Sequence, residues 1–206
     1  RDGNPELSLD MSVKSVRFQD MVLPCQAVYR EKFAGDEEGF YPALYEALVR
    51  FSGLRLPTEE FRLRQSDQVA MEEQASSPML LRFLQLLIFL TRPMRVLEVG
   101  TFIGISALYM ARALPDGGRV VTVEKYEHFA DLARQNVLTN HLQHKIQLLV
   151  GDAGEVLRRL DRSEPFDMIF LDGNKERYDQ HFLLLDALLA LQGLLVVDDV
   201  LFHGDV

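Results

Sequence analysis

Acids recur at one kind of place in this chain. Five short apolar runs, Val96–Val99, Val120–Val123, Ile146–Val150, Met168–Leu171 and Leu194–Val197, each hold or precede a carboxylate at their far end. Those acids are Glu98, Glu124, Asp152, Asp172 and the pair Asp198-Asp199. If the runs are strands of an open α/β sheet, ligands sit beyond their carboxyl ends, and every strand delivers an acid to that rim. Like charges repel, so the arrangement costs stability and asks for a use. A single acid after a strand is ordinarily a helix cap or a turn residue. Five strand ends together are harder to assign in that way.

The acids differ in the chemistry they suit. Glu98 lies in Val96–Ser106, VLEVGTFIGIS, where Gly100 and Gly104 follow the first apolar run. A Gly-rich turn between a buried strand and a helix lets a ligand approach the backbone closely, where a Cβ would block it. The spacing is G-x-x-x-G rather than the G-x-G-x-x-G of dinucleotide folds, which argues against a nicotinamide-dependent oxidoreductase. Glu98 would repel a pyrophosphate and suits a ligand with positive charge, such as an amino-acid ammonium group. The segment alone also fits a tight turn without a ligand. Glu124 suits bidentate acceptance from ribose hydroxyls. Asp152 either accepts from an adenine amino group or caps the helix that begins at Ala153, and the two roles are compatible. Asp172, Asp198 and Asp199 match the oxygen ligands that a hard divalent cation such as Mg²⁺ takes. Lys175, three residues past Asp172, is either a charge-balancing ammonium or a base whose pKa is lowered by desolvation and a nearby cation.

Between the apolar runs lie segments of helical spacing, Gly104–Leu114, Glu127–Asn140, Ala153–Leu160 and Arg177–Leu191. Such alternation predicts βαβ units and a mainly parallel sheet covered on both faces. Upstream, Tyr41–Phe51 and Ser76–Leu90 also carry apolar residues at helical spacing, and Pro57-Thr58-Glu59-Glu60 resembles a helix start. The first forty residues are weakly patterned. We therefore expect a partly helical N-terminal extension over 1–60 and a ligand-binding domain over 61–206.

With 206 residues, 48% of them hydrophobic, the chain can bury a substantial core. Its net charge of −9 argues against nucleic acid or an anionic membrane as the main partner. The lone cysteine, Cys25, forms no intrachain disulfide, so the expectation is a reducing, cytoplasmic setting. The apolar stretch at Leu80–Leu90 is broken by Arg82 and Gln85, which argues against a membrane span. No secretory leader is expected, and the start at Arg1 suggests a longer natural polypeptide.

In order, LEVGTFIGISAL, VVTVEK, GDAGEVL, FDMIFLDGNKERY and LLVVDDVLFHGDV resemble the cation-dependent S-adenosylmethionine O-methyltransferases, the caffeoyl-CoA and catechol O-methyltransferase family. The resemblance runs from Met71 to Val206. It implies a Rossmann-like class I methyltransferase fold and S-adenosyl-L-methionine as cofactor. Glu98, Gly100, Thr101, Gly104 and Ser106 would surround the methionyl part, which Met71 would cover. Glu124 would hold the ribose, and Asp152 and Ala153 would lie beside the adenine. Asp172 would adjoin the cofactor and, with Asp198 and Asp199, ligate a divalent cation, Mg²⁺ first with Mn²⁺ or Ca²⁺ as alternatives. Lys175 falls on the catalytic lysine.

Three departures stand out. The family's Asp-Ala-Asp-Lys reads Asp172-Gly173-Asn174-Lys175 here, and its usual third ligand, Asn, is Asp199. The family also continues past the position of Val206 with two more strands of a seven-stranded sheet, so the domain is expected to be C-terminally incomplete. The implied reaction moves a methyl group to a hydroxyl of a small catechol-like, phenolic or natural-product acceptor. Its alternatives are a metal-independent methyltransferase and a non-catalytic binding domain of a multidomain synthase. A homodimer is expected. His128, His141, His144 and His181 are read as surface residues, whereas His203 follows the metal pair closely enough to face the acceptor. Phe102 and Phe202 are read as core or pocket wall.

Overall fold

The computed structural model describes residues 55–198, with the side chains of Glu72 and Glu73 left aside. The first forty residues, the Tyr41–Phe51 segment, Asp199, Phe202 and His203 lie outside the described residues. Three helices come first: α1 (Pro57–Glu60), α2 (Met71–Gln74) and α3 (Pro78–Thr91). The Pro57 helix start thus yields a single turn, because Phe61 adopts an extended backbone and turns into the core. In α3, Ser77 accepts the Leu80 N–H at 3.1 Å and Pro78 fills the first position, so the orphan donors are reduced at once. Arg92 closes it in the left-handed region at φ 50°.

The regular alternation then begins. Strand β1 (Arg95–Val99) leads through α4 (Ile105–Ala113) to β2 (Arg119–Glu124), and α5 (Glu127–Thr139) leads to β3 (Ile146–Val150). Helix α6 (Ala153–Arg159) returns the chain to β4 (Phe166–Leu171). A 3₁₀ turn (Lys175–Arg177) and α7 (Tyr178–Asp186) connect to β5 (Leu189–Val197). The sheet order is β3-β2-β1-β4-β5 and every pairing is parallel. This is the expected Rossmann-like α/β architecture.

Strand alternation divides the core into two layers. Met168 and Phe170 of β4 join Val96, Val120 and the α3–α4 face, including Leu84, Ile88 and Leu108. Ile169 and Leu171 point the other way, to Leu97, Val99, Leu157 and Leu185. Both sheet faces are therefore covered, which is why the strands read as continuous apolar runs. The chain leaves β1 toward β2 and later crosses back to β4 on the other side. The carboxyl ends of β1 and β4 thus form a topological switch point, where open α/β sheets leave a crevice.

One expectation fails along the last crossover. The helical segment read over Arg177–Leu191 ends at Asp186, and the chain is already in β5 at Leu189. The run from Leu183 to Val197 is apolar almost throughout, so periodicity cannot show where a buried helix gives way to a buried strand. The break is visible only in the backbone. Pairing with β4 shifts between Phe166↔Leu189 and Met168↔Leu194, and Gln192 sits at φ 68° inside the irregularity. Regular pairing starts at Leu194, where the apolar run had been read.

Candidate active site

Beyond the carboxyl ends of the strands lies a cavity of ≈ 1310 Å³. Gly100, Thr101 and Ser106 line it from the β1–α4 turn, and Glu124, Asp152 and Ala153 from the ends of β2 and β3. Asp172, Lys175 and Asp198 complete the far side from β4, the 3₁₀ turn and the end of β5. Nine of the residues read from the sequence are thus gathered on one wall system.

Gly100 is the hinge of the switch point. At φ +101°, a Cβ there would stand 2.1 Å from the Asp172 carbonyl oxygen. The close neighbour at this glycine is therefore the β4 exit, with Asp172 N–H donating to the Val99 carbonyl at 2.9 Å. The absent side chain lets the two strand ends meet.

Glu124 is fixed before any ligand arrives. Its Oε2 accepts the N–H groups of Phe102 at 2.8 Å and Thr101 at 3.3 Å, and its Oε1 accepts the Tyr126 N–H at 2.9 Å. Three backbone donors orient the carboxylate on the wall and leave its remaining lone pairs as acceptors.

Glu98 requires a correction. It is fully buried in β1 and does not line the cavity. Its Oε2 accepts from the Thr122 hydroxyl at 2.5 Å, and Thr122 in turn shares a hydrogen bond with the Thr101 hydroxyl. Its Oε1 has no hydrogen-bond partner among the described residues. Burial pushes the carboxyl up to about 8; the Ser106 and Thr122 hydroxyls oppose this, and Asp172 and Glu124 add to it. At neutral pH Glu98 is thus mainly a neutral acid beneath the floor, not an exposed counter-charge for an ammonium group.

Two further residues read as cofactor contacts stand off the wall. Met71, at 9% exposure, is packed in the α3–α4 core layer. Gly104, at φ +88°, caps the start of α4, where a Cβ would lie 3.3 Å from that of Ala133 on α5. Its absent side chain serves helix packing.

The acidic side is paired rather than bare. Asp172 Oδ1 lies 2.6 Å from Lys175 Nζ, and Oδ2 accepts from Ser76 Oγ at 3.2 Å. Burial pushes the Asp172 carboxyl above its ordinary value and Asp198 adds to this, while Lys175 and Ser76 hold it back. Burial would lower the Lys175 ammonium, yet the Asp172 carboxylate outweighs it and lifts the group above the usual lysine value. This matches the charge-balancing reading of Lys175; the lowered pKa of the other reading also calls on a nearby cation. In this state Lys175 is a firmly protonated partner of Asp172. Asp198 lines the cavity, but Asp199 lies outside the described residues, so the three-carboxylate set is represented by two. No group of three or more metal-type side chains occurs among the described residues.

Of the two roles weighed for Asp152, the structure shows the helix cap. Its Oδ1 caps α6 by accepting the Gly154 N–H at 3.0 Å, and its Oδ2 is ion-paired with Arg177 at 2.7 Å. Both oxygens are engaged, so an adenine amino group would have to share them.

Three wall residues escaped the sequence reading. Ser76 reaches Asp172 across 96 positions. The Tyr178 hydroxyl donates to the Asp198 carbonyl at 3.1 Å and lies 3.4 Å from the Leu171 carbonyl, tying the ends of β4 and β5 together. Burial pushes that phenol up to about 12, so it stays a donor. His181, read as a surface residue, is 3% exposed and on the cavity wall. Position in a Lys-x-x-Tyr-x-x-His spacing was the available signal, since it puts Lys175, Tyr178 and His181 on one side of a helical turn. Phe102 proves to be a wall residue, edge-on to Phe129 with ring centroids 5.0 Å apart.

The chain matches the model of a family described as O-methyltransferase over residues 59–206. It is 36% identical over 141 residues to the catechol O-methyltransferase of Niastella koreensis, covering 68% of this chain and 64% of that protein. It spans about half the length of other curated relatives that it matches. Among solved structures, the O-methyltransferase TomG of Streptomyces achromogenes, in complex with SAM, superposes with a TM-score of 0.64 at 33% identity, over 75% of this chain and 72% of TomG. The O-methyltransferase of Bacillus cereus, in complex with SAH, gives a TM-score of 0.62 at 28% identity, over 88% and 74% of the two chains.

Proposed function

Because this chain belongs to the O-methyltransferase family, we propose that it transfers the methyl group of S-adenosylmethionine to a hydroxyl of a small catechol-like, phenolic or natural-product acceptor. One observation carries the reading. The switch-point cavity sets an oriented acceptor carboxylate, Glu124, across from a Lys175–Asp172 pair with Asp198 beside it. The first suits a ribose; the second suits an ionising hydroxyl. In this proposal Gly100, Thr101 and Ser106 hold the methionyl end and Asp152 and Ala153 adjoin the base. Met71 and Gly104 support the wall from behind, and Glu98 lies beneath it. The domain is taken as 61–206, near the start of the family match.

Asp172 and Asp198 also fit a divalent cation. They offer hard oxygen donors, and their mutual repulsion is relieved only in part by Lys175. Asp199 is proposed from sequence as the third ligand. When bound, the cation supplies Lewis-acid polarisation of the acceptor oxygens and lowers the pKa of the attacking hydroxyl. The chain's own residues do the rest. Tyr178 fixes the two strand ends that present the carboxylates. Lys175 holds a proton against Asp172 in the resting state, so it can serve as a base only after the acceptor separates the pair and the ammonium releases that proton to bulk water. Orientation of the two reactants in one cavity can supply about 7–11 kcal/mol of the barrier lowering.

A second reading, a metal-independent methyltransferase, is favoured by the 2.6 Å pairing that already neutralises Asp172. Chelator-treated protein assayed by mass spectrometry against vicinal diols, with and without Mg²⁺, separates the two. Methylation that appears only with Mg²⁺ supports the first, and activity indifferent to chelator supports the second. Tight binding of S-adenosylhomocysteine without turnover on any acceptor leaves a non-catalytic binding domain, and no binding at all sinks every version. A homodimer and a cytoplasmic setting belong to the proposal too. What supports the dimer is an exposed apolar stripe on α3, Met79, Phe83, Leu86, Phe89 and Leu90. No helix among the described residues is long and apolar enough to cross a membrane.

A further inference from the structure

His181 has no task in the mechanism above, yet the fold buries it on the cavity wall at 3% exposure. It stands in the first half of α7, beside α6. Its Nδ1 is buried without a hydrogen-bond partner among the described residues. Its Nε2 lies 4.0 Å from the point where a Cβ on Gly154 would stand, a point that Asp152 Oδ1 and Arg158 Nη1 approach to 3.3 and 3.5 Å, so this ring edge sits beside the cavity end that Asp152 lines. Burial favours the neutral ring; Asp152 and Asp179 oppose this, and Arg177 and Arg158 reinforce it.

A neutral imidazole carries one N–H. A buried N–H without a partner is rarer and more costly than an under-used acceptor. The proton therefore belongs on Nε2, and the sealed Nδ1 is the bare acceptor. Asp152, the carboxylate nearby, accepts from the Gly154 N–H on Oδ1 and from Arg177 on Oδ2, and no hydrogen bond joins it to Nε2 among the described residues. Nε2–H is a donor in waiting at the end of the cavity formed by Asp152 and Ala153.

We propose that His181 is a specificity-determining residue for the heterocyclic base of the cofactor, its Nε2–H donating to a ring nitrogen of the purine. The inference rests on the reading of the cavity as an adenosyl site. Asp152 cannot perform this task, because an ionised carboxylate only accepts.

Calorimetric titration with S-adenosylhomocysteine and its 1-deaza, 3-deaza and 7-deaza analogues tests it. One analogue should bind the wild-type chain about tenfold more weakly than the parent, the size of one lost buried hydrogen bond. His181→Phe should lose about tenfold for the parent and bind that analogue equally well, the signature of a coupled pair. His181→Gln, whose amide nitrogen falls near the place of Nε2, should restore discrimination, whereas His181→Asn should not. The Gln and Asn pair keeps the test valid if the Phe variant does not fold. Equal binding of all four ligands by the wild type overturns the proposal, as does discrimination that persists in the Phe or Asn variant. Failure of the parent ligand to bind the wild type overturns the adenosyl reading itself, a result distinct from binding without discrimination.

Discussion

Lys175 shows how far one contact can reverse what a residue type suggests. Desolvation alone would favour a neutral amine, but a carboxylate at 2.6 Å contributes more than burial removes. The resting lysine is an ammonium, and its use as a base depends on what happens to Asp172. Lys175→Met should therefore abolish the proton acceptor while also unpairing Asp172. We expect methyl transfer to fall by about 10²–10⁴, the usual worth of a positioned acid or base. Affinity for S-adenosylhomocysteine should stay within about twofold, because the Glu124 cradle, with its three backbone donors, is remote from the change. Single-turnover assays with the strongest acceptor, together with calorimetry, read the two quantities separately. A variant that turns over like the wild type would remove Lys175 from the reaction.

Elements hold these residues in place through a few buried polar ties. Asn136 of α5 is wholly buried, and its amide spans three backbone groups. It accepts the Arg64 N–H at 2.6 Å and donates to the Arg64 and Ile103 carbonyls at 3.1 and 2.9 Å. Asn136→Ala would leave those groups unpaired, so unfolding should become easier by about 2–3 kcal/mol. The urea midpoint should fall with the m-value unchanged; a shift under about 0.5 kcal/mol would show that water replaces the amide. Gly100→Ala should be worse. A Cβ 2.1 Å from the Asp172 carbonyl must push the β1 and β4 exits apart. We expect loss of S-adenosylhomocysteine binding even where circular dichroism shows a folded sheet, and unaltered binding would mean that the turn can relax. Legibility in the sequence follows the same physics. The five strands were readable because parallel strands buried on both faces must be apolar throughout, and their acids were readable because sheet topology puts strand ends together. The α7–β5 boundary was not, since Leu183–Val197 is apolar in either conformation. Asn136, Ser76 and His181 were not, since each gains its role from a partner far away in sequence. Lys175 was legible as a residue, but the choice between its two readings was not, because that choice depends on a distance.

At the scale of the whole molecule, the buried Glu98 makes stability depend on pH in a direction opposite to that of a paired surface acid. In the native chain its carboxyl is pushed up to about 8, from an ordinary value of 4.5. Between those values the folded state keeps a proton that the unfolded state has released. Unfolding then releases protons, so stability falls as pH rises, by up to about 1.4 kcal/mol per pH unit from this group. Below the lower value both states are protonated, and above the upper value both are ionised, so the slope vanishes at each end. Glu98→Gln keeps the shape and an acceptor for the Thr122 hydroxyl but cannot ionise. Titrating groups that do not feel Glu98 cancel in the difference, which leaves Glu98 as the main term, with smaller changes at Asp172 and Glu124. Urea midpoints at pH 5.5, 6.5 and 7.5 should therefore diverge, with the Gln variant gaining on the wild type at each step. Parallel curves would mean that Glu98 is ionised in the fold, and the neutral acid beneath the cavity would have to be given up.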